Sequence, residues 1–303
     1  MALMPMPELL AHARNRGYAV GYFEAWDSYS LEAIVAAAEA ERSPVIIGFG
    51  CMLLEQTWLE RGGIEIFGAI GRQIAENCRV PVSLLLNEAH TVEHALRGID
   101  AGFNAVMICD SNTERNARLV AAAHAVGVAV EAELGELPDG GPDGNVDSSH
   151  AALTDPDQAA AFVEATGVDA LAVSFGNVHT LEGAQATIDL NRLAAVHARV
   201  AVPLVAHGGT AFPAGAVPGA IQHGVAKFNV GTILKRSYLE ALRAAAGNVS
   251  ELTSPHALIG SHSSDDLLEV GKANVIEVVR TLIRRFGGSG RATELANAVA
   301  GLP

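Results

Sequence analysis

Short, almost uninterrupted apolar runs alternate with amphipathic, Ala-rich segments along most of this chain. The runs are Ala19–Phe23, Val45–Phe49, Val82–Leu86, Ala105–Cys109, Ala129–Leu134, Ala170–Ser174, Val202–Ala206 and Ala226–Val230. Each is a few residues long and rich in Val, Ile, Leu or Phe, which is what a parallel strand buried on both faces requires. Between them, Leu31, Ile34, Val35 and Ala38 share one face of a helix in Leu31–Ala40. Asn116–Ala125 and Pro156–Thr166 read the same way, the latter with Asp155 as N-cap and Pro at the first helical position. Ala101-Gly102, Val126-Gly127 and Thr166-Gly167 are helix stops, each leading into the next strand.

Eight strand candidates alternating with helices predict a (β/α)8 TIM barrel as a single domain over residues 1–303, with a C-terminal helical extension from about residue 275. An open doubly wound sheet is the alternative. The barrel is preferred because polar groups follow several strands around the whole chain, and in a barrel those strand ends meet at one mouth. Three segments break the rhythm. Cys51–Gly68 is long and mixed, and is expected near the mouth. Gly135–Ser149 is rich in Gly, Pro and Asp and reads as a mobile loop, and Gly260–Ser264 reads as flexible. Val275–Phe286 reads as a last amphipathic helix.

Composition narrows the function. The chain has 303 residues, half of them hydrophobic, and a formal net charge of −14. That charge argues against nucleic acid, whose phosphates need clustered Lys and Arg, and it offers no basic face to an anionic membrane. No apolar run is long enough to span a bilayer. The three cysteines, Cys51, Cys78 and Cys109, are odd in number and lack zinc-type spacing. With no secretory pattern at the start, a reduced, cytoplasmic setting is expected.

The chemistry lies where apolar runs end in polar groups. Leu84-Leu85-Leu86 ends in Asn87-Glu88, Phe175-Gly176-Asn177-Val178 in His179, and Leu204-Val205-Ala206 in His207. One carboxylate and two imidazoles, Glu88, His179 and His207, can hold one divalent cation and leave a coordination position open. The other reading of each His is a hydrogen-bonded structural residue. The segments His207-Gly208-Gly209-Thr210 and Lys227-Phe228-Asn229-Val230-Gly231-Thr232 end the last two strands, a place where barrel enzymes bind phosphate through backbone N–H groups. Glu131 and Glu133 share one face of their strand, paired to a neighbouring strand or placed near a metal.

At these residues the chain resembles the class II fructose-bisphosphate aldolase family, which includes tagatose-bisphosphate aldolases. The resemblance runs from about Tyr18 to Ala292. It is carried by Ser43-Pro44-Val45-Ile46, Gly98–Met107, Val130-Glu131-Ala132-Glu133-Leu134-Gly135, Thr166–Val173, Leu204–Gly209 and Gly224–Val230, in that order and spacing. It implies a (β/α)8 barrel, a divalent metal (zinc foremost, Mn or Mg as alternatives), a sugar or sugar-phosphate substrate and a homo-oligomer, dimer or tetramer. By the same resemblance, His179 and His207 match two zinc-binding histidines. Counting back from Gly98–Phe103 puts Glu88 where the family has its third, and Asn87 where it has its proton-transfer Asp. Gly208, Gly209, Thr210, Asn229, Gly231 and Thr232 match the phosphate region, and Glu133 an acidic residue near the metal.

The departures define the expectation. A usual Ala-Phe-Asn is Tyr22-Phe23-Glu24 here, the Gly after the second histidine is Thr180, a Gly-Gly-Ser-Gly is Gly208-Gly209-Thr210-Ala211, and an Asp-Gly-Ser is Cys109-Asp110-Ser111. Asn87 cannot exchange a proton at neutral pH, so Glu24, Asp110 and Glu133 are the candidate acids or bases. The expected activity is a metal-dependent aldolase-type carbon–carbon lyase acting on a small sugar or keto-polyol with at most one phosphate, and not on fructose 1,6-bisphosphate. The alternatives are a catalytically degenerate homologue that binds a sugar phosphate or supports a partner subunit, and an isomerase using the same metal.

Overall fold

All eight apolar runs form strands of one closed parallel barrel. A computed structural model describes residues 3–149, 151–247, 249–250 and 253–299. Its strands are β1 (Val20–Ala25), β2 (Val45–Gly50), β3 (Val82–Ala89), β4 (Ala105–Ile108), β5 (Ala129–Leu134), a small pair β6 (Asp139–Gly140) and β7 (Val146–Asp147), then β8 (Ala170–Val173), β9 (Leu204–Ala206) and β10 (Val225–Val230). The barrel closes in the order β1-β10-β9-β8-β5-β4-β3-β2, with β6 and β7 in a separate antiparallel pair. Helices occupy the crossovers, which is the (β/α)8 arrangement rather than an open sheet.

Strand alternation divides the buried residues into two layers. Val20, Tyr22, Ile46, Leu85, Met107, Ala172 and Val205 fill the barrel interior. The other parity, with Phe23, Ile47, Leu84, Leu86, Val106, Val130 and Leu171, packs outward against the helices. A helix that the periodicity did not predict, Met6–Arg16, adds Met6, Leu9, Leu10 and Ala13 to the inner cluster. It packs against β1 and β10.

The helices follow their signals. Asp155 caps Pro156–Thr166 by accepting from the backbone of Asp157 and Gln158, and Gly167 ends it in the left-handed region. The last amphipathic segment begins earlier than the sequence suggested, at Leu267, because Asp266 supplies the N-cap. This helix, Leu267–Phe286, is tied to the helix Ser28–Glu41 by Lys272–Glu32 (2.6 Å) and Arg280–Glu41 (2.9 Å). A final helix runs over Arg291–Val299.

The three irregular segments each make specific contacts. Cys51–Gly68 holds a buried Cys51, a turn, a helical stretch over Gln56–Trp58 and Leu59–Gly63, and the start of the helix Ile64–Glu76, and its Met52 and Leu53 line the mouth. Gly135–Ser149 contains β6 and β7 and is laced to the segment carrying His179. Gly140 N–H donates to the His179 carbonyl (2.7 Å) and His179 N–H to the Pro138 carbonyl (2.9 Å). In Gly260–Ser264, His262 stacks on Tyr29 at 4.4 Å and donates its backbone N–H to Asp266 (2.9 Å). No helix among the described residues is long and apolar enough to cross a membrane.

Candidate metal centre and active site

The strand ends open into a cavity of about 420 Å3, lined among others by Tyr22, Glu24, Asn87, Glu88, His179, His207, Gly208, Asn229, Thr232 and Lys235. Each side chain arrives there for a local reason. In β3 the pairing with β4 steps from Leu86↔Val106 to Ala89↔Ile108, so β3 carries one extra residue. Glu88 sits in this bulge with φ +55, and a bulge re-aims side chains that simple alternation would send to opposite faces. His207 continues the inward parity of Val205. Gly208 follows it at φ +71, where a Cβ would lie 2.1 Å from the Val178 carbonyl oxygen, so only glycine lets the two loops meet. His179 stands before Thr180, itself at φ +51, whose hydroxyl donates to the Gly140 carbonyl (2.7 Å).

Glu88, His179 and His207 converge: one ligand atom from each lies within 4.8 Å of the others. His179 Nε2 and His207 Nδ1 are 3.2 Å apart, and His207 Nδ1 is 3.5 Å from Glu88 Oε1. Two imidazole nitrogens and a carboxylate turned toward one point are a donor set suited to a divalent cation with an open position. Behind the ring, His207 Nε2 lies 3.4 Å from Glu131 Oε1, while Glu133 Oε2 lies 2.9 Å from Nδ1, the nitrogen that also faces His179 and Glu88. A carboxylate on the far nitrogen, as Glu131 is, fixes the ring and raises its basicity.

The charges are strongly coupled. Burial alone would lower the His207 pKa, but Glu133, Glu131 and Glu88 outweigh it and push it up to about 10. Burial raises Glu88 to about 7, with His207 pulling the other way. Against burial, His207 holds Glu133 below the ordinary carboxylate range, while Lys227, with His207, does so for Glu131. Burial and the neighbouring His207 lower His179. A cation held here would take the place of the His207 proton, which would link binding to proton release.

Glu131 is not paired to a neighbouring strand. Its carboxylate meets Lys227 Nζ (2.8 Å) on β10, across the barrel interior, with both side chains fully buried. Lys227 also donates to Asn229 Oδ1 (2.6 Å), and Asn229 Nδ2 donates to Asn87 Oδ1 (3.4 Å). One polar chain thus runs from beneath the His207 ring to Asn87. A Lys inside a strand that is otherwise apolar, with a Glu inside another, was the available signal for this pair.

Glu24 reaches the cavity and is ion-paired with Lys235, in the helix Thr232–Ala246. Asp110 does not line this cavity, which corrects its candidacy as a proton-transfer group. It pairs with Arg115, accepts the Asn112 N–H (2.8 Å), and borders a separate hollow with His90 and Arg118. Gly208, Gly209, Thr210, Asn229, Gly231 and Thr232 all border the main cavity, and Thr210 Oγ1 accepts the Ile233 N–H (3.1 Å) at the start of that helix. The sequence reading missed Lys235 and the Arg236–Glu182 pair (2.6 Å), which also edge the cavity.

The class II fructose-bisphosphate aldolase family model matches residues 4–291. This chain belongs to that family. It is 32% identical over 300 residues to a probable fructose-bisphosphate aldolase of Bacillus subtilis (strain 168), covering 96% of this chain and all of that one. Against the fructose-bisphosphate aldolase of Thermus caldophilus it is 33% identical over 314 residues, covering 94% and 98%. The crystal structure of the YdjI aldolase from Escherichia coli K12 superposes with a TM-score of 0.77 at 30% identity, covering 96% of this chain and 100% of that one. A putative fructose-1,6-bisphosphate aldolase from Coccidioides immitis gives 0.79 at 28% identity, covering 94% and 97%. The family membership makes this chain an aldolase-type lyase of a metal-dependent class.

Proposed function

We propose that this aldolase cleaves a small ketose or keto-polyol carrying at most one phosphate, with a divalent cation held by Glu88, His179 and His207. The observation that carries the reading is the convergence of these three ligand groups at the cavity that also holds the glycine and threonine strand ends. The cation, zinc foremost with Mn or Mg as alternatives, supplies Lewis acidity toward a substrate carbonyl. Glu131 holds the far nitrogen of the His207 ring, and Glu133 adds a carboxylate beside the ligand nitrogen. Backbone N–H groups of Gly208 and Thr232, with the Gly209, Thr210, Asn229 and Gly231 strand ends around them, form the seat for a single phosphate. Asn87 donates or accepts a hydrogen bond to a substrate hydroxyl without exchanging a proton.

Two features speak against fructose 1,6-bisphosphate. Asn87 stands where the resemblance places a proton carrier. Lys235 and Arg236, the cations edging the cavity, are each already matched by a carboxylate, Glu24 and Glu182. Asn87 also supports the second reading, a degenerate homologue that binds a sugar phosphate without cleaving it. A panel of ketoses and ketose monophosphates, assayed for aldehyde release beside fructose 1,6-bisphosphate, separates them. We expect turnover of a panel member and weak or absent cleavage of the bisphosphate. Robust cleavage of the bisphosphate would overturn the substrate assignment. Binding without cleavage across the panel would favour the degenerate homologue.

A further inference from the structure

Tyr22 borders the same cavity as Glu88 and Asn87, yet the tyrosine is 1% exposed and its hydroxyl finds no hydrogen-bond partner among the described residues. A buried phenol left unpaired forgoes a hydrogen bond and bears its desolvation cost. Its position is informative. Tyr22 is the register partner of Asn229 across β1 and β10, and Asn229 is the hydrogen-bond partner of Asn87. The tyrosine therefore adjoins, through Asn229, the residue that cannot transfer a proton. Lys227 Nζ lies 4.9 Å from the ring centroid and favours negative charge on the phenol oxygen.

We propose that Tyr22 is a catalytic residue of this aldolase, its hydroxyl serving the oxygen of the aldehyde half of the substrate. In the bond-forming direction the C=C π pair of the ketone enolate attacks the aldehyde carbon, so a carbon–carbon bond forms while the enolate oxygen restores the ketone C=O. The carbonyl π pair moves onto the aldehyde oxygen, and that oxygen takes the phenolic proton. Solvent water then returns a proton to the phenolate beside Lys227. Cleavage runs the same steps in reverse. Burial, with Glu24, Glu88, Cys51 and Glu131 nearby, holds the phenol well above its ordinary pKa, so it rests protonated. This inference rests on the aldolase reading of the site.

Two half-reactions separate Tyr22 from the rest of the machinery. Loss of the α-proton from dihydroxyacetone or dihydroxyacetone phosphate, followed as deuterium uptake from heavy water, needs no aldehyde oxygen. Bond formation between the same ketones and two- to four-carbon aldehydes does. In Tyr22→Phe, which removes one oxygen and keeps the ring, we expect metal content and deuterium uptake to stay at wild-type levels while bond formation falls by roughly 10²- to 10⁴-fold. Equal bond formation by wild type and Tyr22→Phe, or an equal fall in both half-reactions, would overturn the role of Tyr22 while leaving the aldolase reading standing. A wild type that catalyses neither half-reaction on these probes would instead overturn the aldolase reading of the site, and the role of Tyr22 with it.

Discussion

Asn87 and Glu88 are consecutive residues, yet both border one cavity. The extra residue in β3 and the left-handed backbone at Glu88 make this possible. A non-glycine residue at positive φ is uncommon, and here that backbone turns the Glu88 carboxylate toward His207 (3.5 Å).

The first prediction follows from that placement. A carboxylate at this corner adds negative charge to the cation and suits harder ions such as Mn2+ or Mg2+ better than a third imidazole would. Glu88→His is expected to keep metal and lose native activity, while Glu88→Gln is expected to lose both in part. Metal stoichiometry and turnover, measured side by side, decide the point. A Glu88→Gln variant indistinguishable from wild type would return Glu88 to the structural background.

His207 is the hub, with Glu88, His179, Glu131 and Glu133 all within reach of its ring. Elemental analysis is expected to find a divalent cation in the purified wild type and little in His207→Ala. Added metal at about a hundred times its dissociation constant stabilises a binding-competent fold by roughly 2.7 kcal/mol. It is therefore expected to raise the melting temperature of wild type and not of His207→Ala. Full activity after refolding from chelator without metal would rule out this role.

The barrel was legible because burial on both faces of a parallel strand leaves an apolar run that little else mimics. Boundaries moved by only a residue or two at β1 and β9. Parity explains what was less legible. Tyr22 and Glu24 share the inward parity of Val20, as Glu131 and Glu133 share that of Ala129. Asp110 continues the outward parity of Val106 and Ile108, and Arg115 captures it. A strand end is visible in sequence, but which way its last side chain turns depends on bulges and on loops from elsewhere. The Gly135–Ser149 segment was harder still. Its bonds to His179 are made by backbone atoms, which composition does not register.

A stability prediction concerns Glu41, whose carboxylate accepts hydrogen bonds from Arg280 (2.9 Å), Arg284 (2.5 Å) and Ser289 (2.8 Å). Burial alone would raise its pKa, but the two guanidinium groups and the hydroxyl outweigh it and hold it at about 2, below its ordinary 4.5. A depressed carboxylate pKa stabilises the fold above the unfolded value, and the contribution is lost as pH falls toward the folded value. Arg284 is half exposed, so solvent screening keeps the effect near 1 kcal/mol. Glu41→Gln is expected to melt about 2 °C below wild type at pH 7. Between pH 5 and pH 3 the gap should narrow, and thermal melts over that range would show whether it does.

The Glu24–Lys235 pair sets the last prediction. Glycines flank the Glu24 carboxylate: a Cβ on Gly50 would lie 2.8 Å from Glu24 Oε2, and one on Gly231 3.0 Å from it. The strand ends of β2 and β10 thus leave room for an acidic group at the rim, and that group pairs with Lys235. A matched lysine offers an incoming phosphate less than a free one, since the phosphate must compete with a carboxylate already in place. Glu24→Gln removes the competing charge and keeps the shape. A charge-assisted hydrogen bond is worth roughly 1.5–3 kcal/mol, so inhibition by inorganic phosphate or glycerol phosphate should tighten by about tenfold or more in the variant. The gain should disappear in Glu24→Gln combined with Lys235→Ala. Inhibition constants for wild type and both variants test it at one ionic strength. No tightening in Glu24→Gln would mean that Lys235 does not face the bound phosphate. Glu24 would then have to be assigned to holding the helix Thr232–Ala246 against β1.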